Sequence, residues 1–218
     1  MGRFQWLRSA PTPSVQDTSY ICIYIYIFRV PKQMNRHVII SGCSGGGKST
    51  LLAELATRGY VTVPEPGRRI IAQEKASGGR ALPWLDLAAF ARRAIEVAIQ
   101  DRKAAARTDG WVFFDRGLID AAAALEQATG ELVVKAFNQI HPYHRCAFLA
   151  PSWQEIYHRD EDRKHGFLEA IAEYERLLTI YPRLGYEIVI LPKVSVLDRA
   201  DFMIDYLEHA EGVSLSAT

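Results

Sequence analysis

Short runs of apolar residues alternate along the chain with longer segments in which apolar residues recur every three or four positions. A run of about four to eight apolar residues between turn residues is typical of a strand buried on both faces. The pattern predicts strands at residues 37–41, 60–63, 111–114, 145–150 and 187–191.

The segments between these runs have the spacing of amphipathic helices, and Asp86 is a suitable N-cap residue for the longest of them. The pattern predicts helices at residues 51–58, 68–76, 86–107, 119–129, 132–140, about 167–178, and 198–207. Strands that alternate with helices form a parallel sheet covered by helices on both faces. We therefore expect a three-layer α/β domain around a five-stranded parallel sheet.

Polar or glycine-rich residues follow each predicted strand. Parallel strands joined by right-handed crossovers end at the same edge of their sheet, and ligands bind at that edge in open α/β sheets. We therefore expect one site to contain the loop 42–49, Glu65, Asp115 with Arg116, the segment after Pro151, and residues 192–195.

Residues 42–49, GCSGGGKS, match the phosphate-binding pattern G-x-x-x-x-G-K-[ST]. Glycines let backbone N–H groups turn toward phosphate oxygens, the lysine balances phosphate charge, and the last hydroxyl joins the coordination of Mg²⁺. The alternative is a glycine-rich surface turn, but the strand before the loop and the helix after it favour nucleotide binding. The predicted phosphate-binding residues are Gly42, Ser44, Gly45, Gly46, Gly47, Lys48, Ser49 and Thr50, of which Lys48 is also catalytic and Ser49 also a metal ligand.

Asp115 and Arg116 directly follow the third predicted strand. A carboxylate at this position of a phosphate-loop protein meets Mg²⁺ directly or through water. A guanidinium beside it can hold a phosphate or a substrate oxygen through two hydrogen bonds. The alternative is a surface turn that caps the next helix. We predict both residues as catalytic, with Asp115 as a metal ligand beside Ser49.

Glu65 lies between two prolines after the second predicted strand, so its backbone is restricted. A carboxylate held near a phosphate loop can accept the proton of an attacking hydroxyl or hold a Mg²⁺-bound water. The alternative is a structural salt bridge to Arg68 or Arg69. Those arginines either bind a phosphate or carboxylate of an acceptor or lie in a solvated first helical turn.

A charge-dense stretch, residues 158–165, lies between the fourth predicted strand and the next helix. Most charge runs are solvated loops. At this place, however, cations that close over a triphosphate would neutralise the charge of the transferred group. We predict a lid at about residues 152–166, with Arg159 and Arg163 as catalytic residues.

Composition narrows the possible partners and the compartment. Lys and Arg number 26 against 25 Asp and Glu, which argues against a nucleic-acid partner. The cysteines, Cys22, Cys43 and Cys146, lack metal-ligand spacing and indicate reduced thiols in the cytoplasm. The apolar run at residues 20–28 is about half of the ~20 residues that a membrane-spanning helix requires, so we expect no membrane partner.

The beginning of the chain differs in pattern from the rest. Prolines, serines and an alternation of Ile and Tyr precede Met34. We expect residues 1–33 to be a poorly ordered extension, residues 34–210 to form the nucleotide-binding domain, and residues 211–218 to be a C-terminal tail.

The assembled motifs resemble P-loop small-molecule kinases of the nucleoside and nucleotide kinase type. The chain looks closest to a small group of ATPases labelled as AAA domains, which is similar to the ribosylnicotinamide kinase domain. The resemblance covers residues 35–207 and is carried by the loop 42–49, residues 64–67 (PEPG), residues 115–117 (DRG), residues 153–157 (WQEIY), Leu191 with Pro192, and residues 195–200 (SVLDRA).

This resemblance implies a P-loop NTPase fold with a short lid. It implies that Glu65 lies near the acceptor hydroxyl, that Asp115 and Arg116 form an acid–arginine pair, and that the lid cations close over ATP. Pro192 and Ser195 would border the base. The chain departs from thymidylate kinases, which carry a longer glycine-rich stretch where this chain has Gly67 and two arginines, so the resemblance names no particular acceptor.

The leading hypothesis is a Mg²⁺-dependent kinase that transfers the γ-phosphoryl group of ATP to a small, nucleoside-like or nucleotide-like acceptor. GTP in place of ATP stays open, as does the choice between monomer and homodimer. The rival is a regulatory ATPase or GTP-binding switch acting on a protein partner. A guanine-specific switch would carry N-K-x-D after a strand, which this sequence lacks. An oligomeric ring ATPase would carry an acidic pair where Asp115 is followed by Arg116.

Overall fold

The alternation of buried strands and amphipathic helices produces an α/β fold in the computed structural model, which describes residues 35–157 and 166–216. The strands are β1 (His37–Gly42), β2 (Val61–Val63), β3 (Val112–Asp115), β4 (Cys146–Ala150) and β5 (Glu187–Ile190). The helices are α1 (Lys48–Thr57), α2 (Pro66–Ser77), α3 (Leu87–Ala105), α4 (Leu118–Thr129), α5 (Val134–Ile140), α6 (Phe167–Arg183) and α7 (Val196–Ser216), with a 3₁₀ turn at Gln154–Ile156.

The strands pair in parallel in the order β2-β3-β1-β4-β5, which places β1 at the centre of the sheet. Ile39 of β1 lies opposite Phe114 of β3 on one side and opposite Ala147 of β4 on the other. Every residue of β3 and β4 is buried, as the continuous apolar runs predicted. The sheet confirms the expected three-layer α/β class.

Separate hydrophobic cores cover the two faces of the sheet. Phe114 packs in a core with residues of α3, α4 and α6, whereas its neighbour Phe113 packs in a core with residues of α1 and α7. Successive side chains of a strand point to opposite faces, so two adjacent phenylalanines serve both layers. The loops at the carboxyl ends of the strands are thereby held between two packed layers.

Several helices begin earlier than the sequence pattern predicted, α2 and α7 among them. Helix α2 begins at Pro66 and not at residue 68, because proline lacks the N–H that a first helical turn leaves unpaired. Glu65 is therefore the residue that immediately precedes a helix. Helix α7 begins at Val196 and continues to Ser216, beyond the predicted end at residue 207 and into the segment predicted as a tail.

The expected N-cap is confirmed, since Asp86 accepts a hydrogen bond from Ala89 N at 2.9 Å. None of the helices described here is both long and apolar enough to cross a membrane. The predictions for residues 1–33, and those for the charged stretch with Arg159 and Arg163, lie outside the described residues.

Candidate active site

The phosphate loop connects β1 to α1, and its path depends on glycine. Gly42, Gly45 and Gly47 have φ angles of 110°, 81° and 75°, in the left-handed region that favours glycine. Gly42 also lies against β4, where a Cβ atom would come within 2.3 Å of Ala150 O. The N–H of Cys43 donates to the same oxygen at 2.8 Å. The loop is thus anchored to the neighbouring strand.

Lys48, the first residue of α1, is buried against the loop that precedes it. Its Nζ donates to Cys43 O at 2.8 Å. Burial lowers the pKa of this ammonium group, and the nearby Arg116 guanidinium lowers it further. The surrounding carboxylates raise the pKa but do not cancel this fall. The ammonium is therefore poorly compensated by the protein, and an anion in the loop would favour its charged form.

Ser49 and Asp115, which the sequence pattern predicted as metal ligands, lie together beside the loop. Ser49 Oγ donates to Asp115 Oδ2 at 3.0 Å. Asp115 is only 3% exposed, and its Oδ1 is buried with no hydrogen-bond partner among the described residues. Burial raises the pKa of this carboxyl. The nearby Lys48 ammonium lowers the pKa, and the Glu65 carboxylate raises it, so the balance remains a raised pKa.

These two oxygen donors fit a Mg²⁺ ion. A hydroxyl and one buried carboxylate are the protein ligands that Mg²⁺ takes in phosphate-loop sites, the remaining positions being filled by phosphates and water. No cluster of three or more His, Cys, Asp or Glu side chains suited to a metal occurs in the part of the chain that is described. Ser49 and Asp115 offer a hydroxyl and a carboxylate, which are donors of the type that Mg²⁺ takes.

Arg116 connects the loop to the opposite wall of the site. The residue has a left-handed φ of 56°, unusual for a side chain of this size, and is buried. Its Nη1 and Nη2 donate to the two carboxylate oxygens of Glu173 at 2.9 and 3.0 Å. Nη2 also donates to Gly42 O at 3.0 Å. The guanidinium therefore joins the phosphate loop to helix α6.

Glu65 lies between two arginines. Its Oε1 is 3.5 Å from Arg116 Nε and its Oε2 is 3.5 Å from Arg68 Nε. The salt bridge to Arg68 that the sequence left open is thus present, whereas Arg69 pairs with Asp101 instead. The Glu65 side chain keeps 25% of its surface exposed, so the carboxylate remains accessible from the cleft.

Asp120 forms the floor of the site from the first turn of α4. Its carboxylate accepts hydrogen bonds from Gly117 N at 3.1 Å and from Tyr181 OH at 2.9 Å, and another from the Ser41 hydroxyl. Burial raises the pKa of this carboxyl, although the nearby Arg116 guanidinium acts to lower it. Asp120 therefore ties β1, α4 and α6 together beneath the site.

Two adjoining cavities open at the carboxyl edge of the sheet. The first, of about 610 Å³, is lined by the phosphate loop, Trp153, Ile156 and the start of α7. The second, of about 370 Å³, lies between α2, α3, α4 and α6 and has a largely apolar wall. The residues shared by both linings are Ser44, Glu65, Arg68 and Arg116.

Most of the predicted site residues come together around the first cavity. Its lining includes Ser44, Gly45, Gly47, Lys48, Ser49, Thr50, Glu65, Arg116 and Ser195. That lining does not include Gly42, Gly46, Asp115 or Pro192. Gly42 and Gly46 face β4, where they contact Ala150, and Asp115 accepts a hydrogen bond from Ser49. Ser195, which lines the cavity, also accepts a hydrogen bond from Asp198 N at 3.2 Å and so caps α7.

Sequence reasoning missed the residues that the helices bring to the site. Glu173 and Asp120 hold Arg116, and Phe90 of α3 and Ile71 of α2 line the second cavity. The apolar spacing around Phe90 indicates only a buried helix face, which is also the pattern of an ordinary core residue. No local motif marks Glu173, since its role depends on a partner 57 positions away in the chain.

Two solved structures that share this fold are small-molecule kinases. Deoxyadenosine kinase from M. mycoides, with bound dATP, aligns with a TM-score of 0.58 and 14% identity, over 79% of this chain and 99% of that chain. Shikimate kinase from Acinetobacter baumannii, in complex with shikimate, aligns with a TM-score of 0.53 and 15% identity, over 82% of this chain and 96% of that chain. At these identities the likeness establishes the kinase-like P-loop fold.

Sequence comparison with curated proteins finds no match. The family model described as "AAA domain" matches residues 37–199, which span β1 to the first turn of α7 and include the phosphate loop and the Asp115–Arg116 pair. The chain therefore belongs to the AAA domain family.

Proposed function

We propose that this protein is a Mg²⁺- and ATP-dependent phosphotransferase acting on a small hydroxyl compound. The observation that carries the proposal is the junction of the two cavities, where Glu65 and Arg116 belong to both linings. A phosphate donor in the first cavity and an acceptor in the second would meet at these side chains. A protein that only hydrolyses ATP has no need of the second cavity.

The first cavity suits a nucleoside triphosphate. Backbone N–H groups of the loop and the ammonium of Lys48 would bind the phosphates, and Ser49 with Asp115 would hold Mg²⁺. The metal would neutralise charge on the phosphates when bound. Phosphoryl transfer depends mainly on positioning and on charge neutralisation, so these residues would supply most of the catalytic effect.

Glu65 is the best-placed group to activate the acceptor. Its carboxylate lies at the cavity junction, is partly exposed, and is held by charge between Arg68 and Arg116. In this role it would accept the proton of the attacking hydroxyl. Arg116, whose hydrogen bonds to Glu173 and Gly42 hold it in place, would orient that carboxylate and the transferred group.

The second cavity suits an acceptor with a flat or apolar body and a hydroxyl group. Its apolar wall is formed by Pro83, Leu87, Phe90, Ala121 and Ala124, among others, and its volume of about 370 Å³ is in the range of small-ligand sites. The two kinases of the same fold act, by their names, on a nucleoside and on shikimate. We therefore favour a nucleoside-like acceptor.

The decisive experiment is a screen of the purified protein with γ-labelled ATP and Mg²⁺ against nucleosides, nucleotides and small alcohols. Transfer of label to one acceptor class, abolished in Lys48→Ala, would support the kinase. Release of free phosphate alone, unchanged by every acceptor, would contradict it and favour a regulatory ATPase that acts on a protein partner.

A further inference from the structure

Arg199 lies in the first turn of α7 and lines the first cavity. The proposed chemistry gives this residue no role. The residue is only 2% exposed. Its Nε and Nη2 atoms are buried and have no hydrogen-bond partner among the described residues. No ion pair of Arg199 with a described carboxylate is present either. The guanidinium is therefore a buried cation without a counter-ion in the described part of the protein.

The tip of this side chain points at the phosphate loop. A Cβ atom on Gly47 would lie 2.8 Å from Arg199 Nη1, so the guanidinium is within contact distance of the residue that immediately precedes α1. The ring of Trp153 lies on another side, with its centroid 5.7 Å from Arg199 Cζ. Arg199 and Trp153 both line the first cavity. The cation thus lies in the wall of the cleft and is directed at the loop.

The charged side chains that line the first cavity are mostly cationic. Among the described residues, this lining contains four cationic side chains, Lys48, Arg68, Arg116 and Arg199, and one carboxylate, that of Glu65. Arg116 is compensated by Glu173 and Asp120, and Arg68 pairs with Glu65. Burial lowers the pKa of Arg199, in agreement with a site that lacks negative charge. A buried charge without a partner destabilises a folded protein unless a ligand supplies that partner.

We propose that Arg199 binds a phosphate oxygen of the nucleotide. It would be a second cation at the phosphates beside Lys48, contributed by the last helix of the domain and not by the first. The inference rests on the proposed nucleotide site and deepens it. Guanidinium and phosphate form short, charge-assisted hydrogen bonds, for which Arg199 has two donor nitrogens available. Nucleotide binding would therefore couple α7 to the loop between β1 and α1.

Calorimetric titration with Mg-ATP, ADP and adenosine tests this assignment. For Arg199→Met we expect ATP and ADP affinity to fall about tenfold or more, because a buried charge partner of the phosphates is lost, and adenosine affinity to change about twofold at most. Arg199→Lys, which keeps the charge, should retain most of the ATP affinity. Equal losses for all three ligands would mean that Arg199 stacks on the base beside Trp153 and would overturn the proposal.

The stability of the unliganded protein provides an independent readout. We expect Arg199→Met to have an unchanged or higher melting temperature without ligand, since an uncompensated buried charge is removed, and a smaller rise on addition of Mg-ATP. A variant that melts lower or fails to fold would assign Arg199 a structural role and contradict the proposal. Arg145→Met, at the opposite edge of the sheet and paired with Glu187, is the matched control and should bind ATP like the unaltered protein.

Failure of this inference differs from failure of the proposed function. If the unaltered protein does not bind Mg-ATP, the nucleotide site itself is wrong. If it binds Mg-ATP and Arg199→Met binds it equally well, only the role of Arg199 is wrong.

Discussion

Glu65 is the residue at which the proposed chemistry is most directly testable. Glu65→Gln removes the proton acceptor but keeps the size of the side chain at the cavity junction. If Glu65 is the general base, kcat should fall by about 10²–10⁴ while ATP affinity stays the same. Steady-state kinetics with the acceptor found by the screen measures this change.

An exposed carboxylate of the same type is the control for that substitution. Glu131→Gln, at an exposed position where the side chain pairs with Arg92, should leave kcat unchanged. A fall of less than threefold in Glu65→Gln would show that the carboxylate is merely a salt-bridge partner of Arg68 and Arg116.

Two features require glycine at position 42: the close approach of β4 and the left-handed φ angle. Gly42→Ala places a methyl group within 2.3 Å of Ala150 O at a φ of 110°, so the loop or β4 must move. We expect a loss of about 3 kcal/mol or more in the free energy of unfolding. Gly59→Ala has a φ of 89°, and apart from its chain neighbours no atom of the described residues lies within 4 Å of the added Cβ, so it carries only the backbone strain and should cost about 1 kcal/mol. Urea denaturation of both variants measures the difference, and equal losses would contradict the contact argument.

At the scale of elements, the strands of the sheet are also tied together at the edge opposite the site. His144, just before β4, donates its backbone N–H to His37 O at 2.7 Å, and its ring nitrogen Nδ1 accepts from Cys146 N at 3.3 Å. Burial, together with the charge of Arg145, lowers the pKa of His144 to about 4. The folded protein therefore holds this imidazole in its neutral form at neutral pH.

Acidification should weaken the junction of β1 and β4. The unfolded chain binds the proton of His144 near pH 6.5, the ordinary pKa, whereas the folded chain binds it only near pH 4. Stability from this group is therefore complete above about pH 6.5 and is lost as the pH falls toward 4. Between pH 7 and pH 5, urea denaturation should show a larger loss for the natural sequence than for His144→Gln.

The comparison of the two proteins isolates His144 from other groups. His37 and His141 also have lowered pKa values, for which burial is the first cause, but they remain in both proteins. Equal losses of stability between the two pH values would mean that His144 can be protonated without cost to the fold.

The arginine that follows β3 also joins the sheet to a helix that is distant in sequence. Arg116, at the end of β3, is held by Glu173 of α6, and α6 directly follows the charged stretch predicted as a lid. This contact could not be predicted from the sequence, because a charged residue on an amphipathic helix is ordinarily solvated. The strand ends themselves were predictable, since apolar runs followed by Asp115 or by glycines are local features.

For the whole molecule, the family match begins at residue 37 and the described fold at Asn35. We predict that a chain beginning at Met34 keeps its free energy of unfolding within about 0.5 kcal/mol, the range of changes outside the folded core, and keeps its affinity for Mg-ATP. Urea denaturation and calorimetric titration, compared with the full chain, measure both quantities. A larger loss of stability would mean that residues 1–33 belong to the domain.

The sequence by itself determined the α/β class, the positions of the strands along the chain, and the phosphate loop with Ser49 and Asp115 beside it. These features are encoded by neighbouring residues, through apolar runs, glycine backbone angles and the order strand–loop–helix. The tertiary structure decided the second cavity, the support of Arg116 by Glu173 and Asp120, and the position of Arg199 against Gly47. Those contacts join residues far apart in the chain, and only the packing of helices on the sheet brings them together.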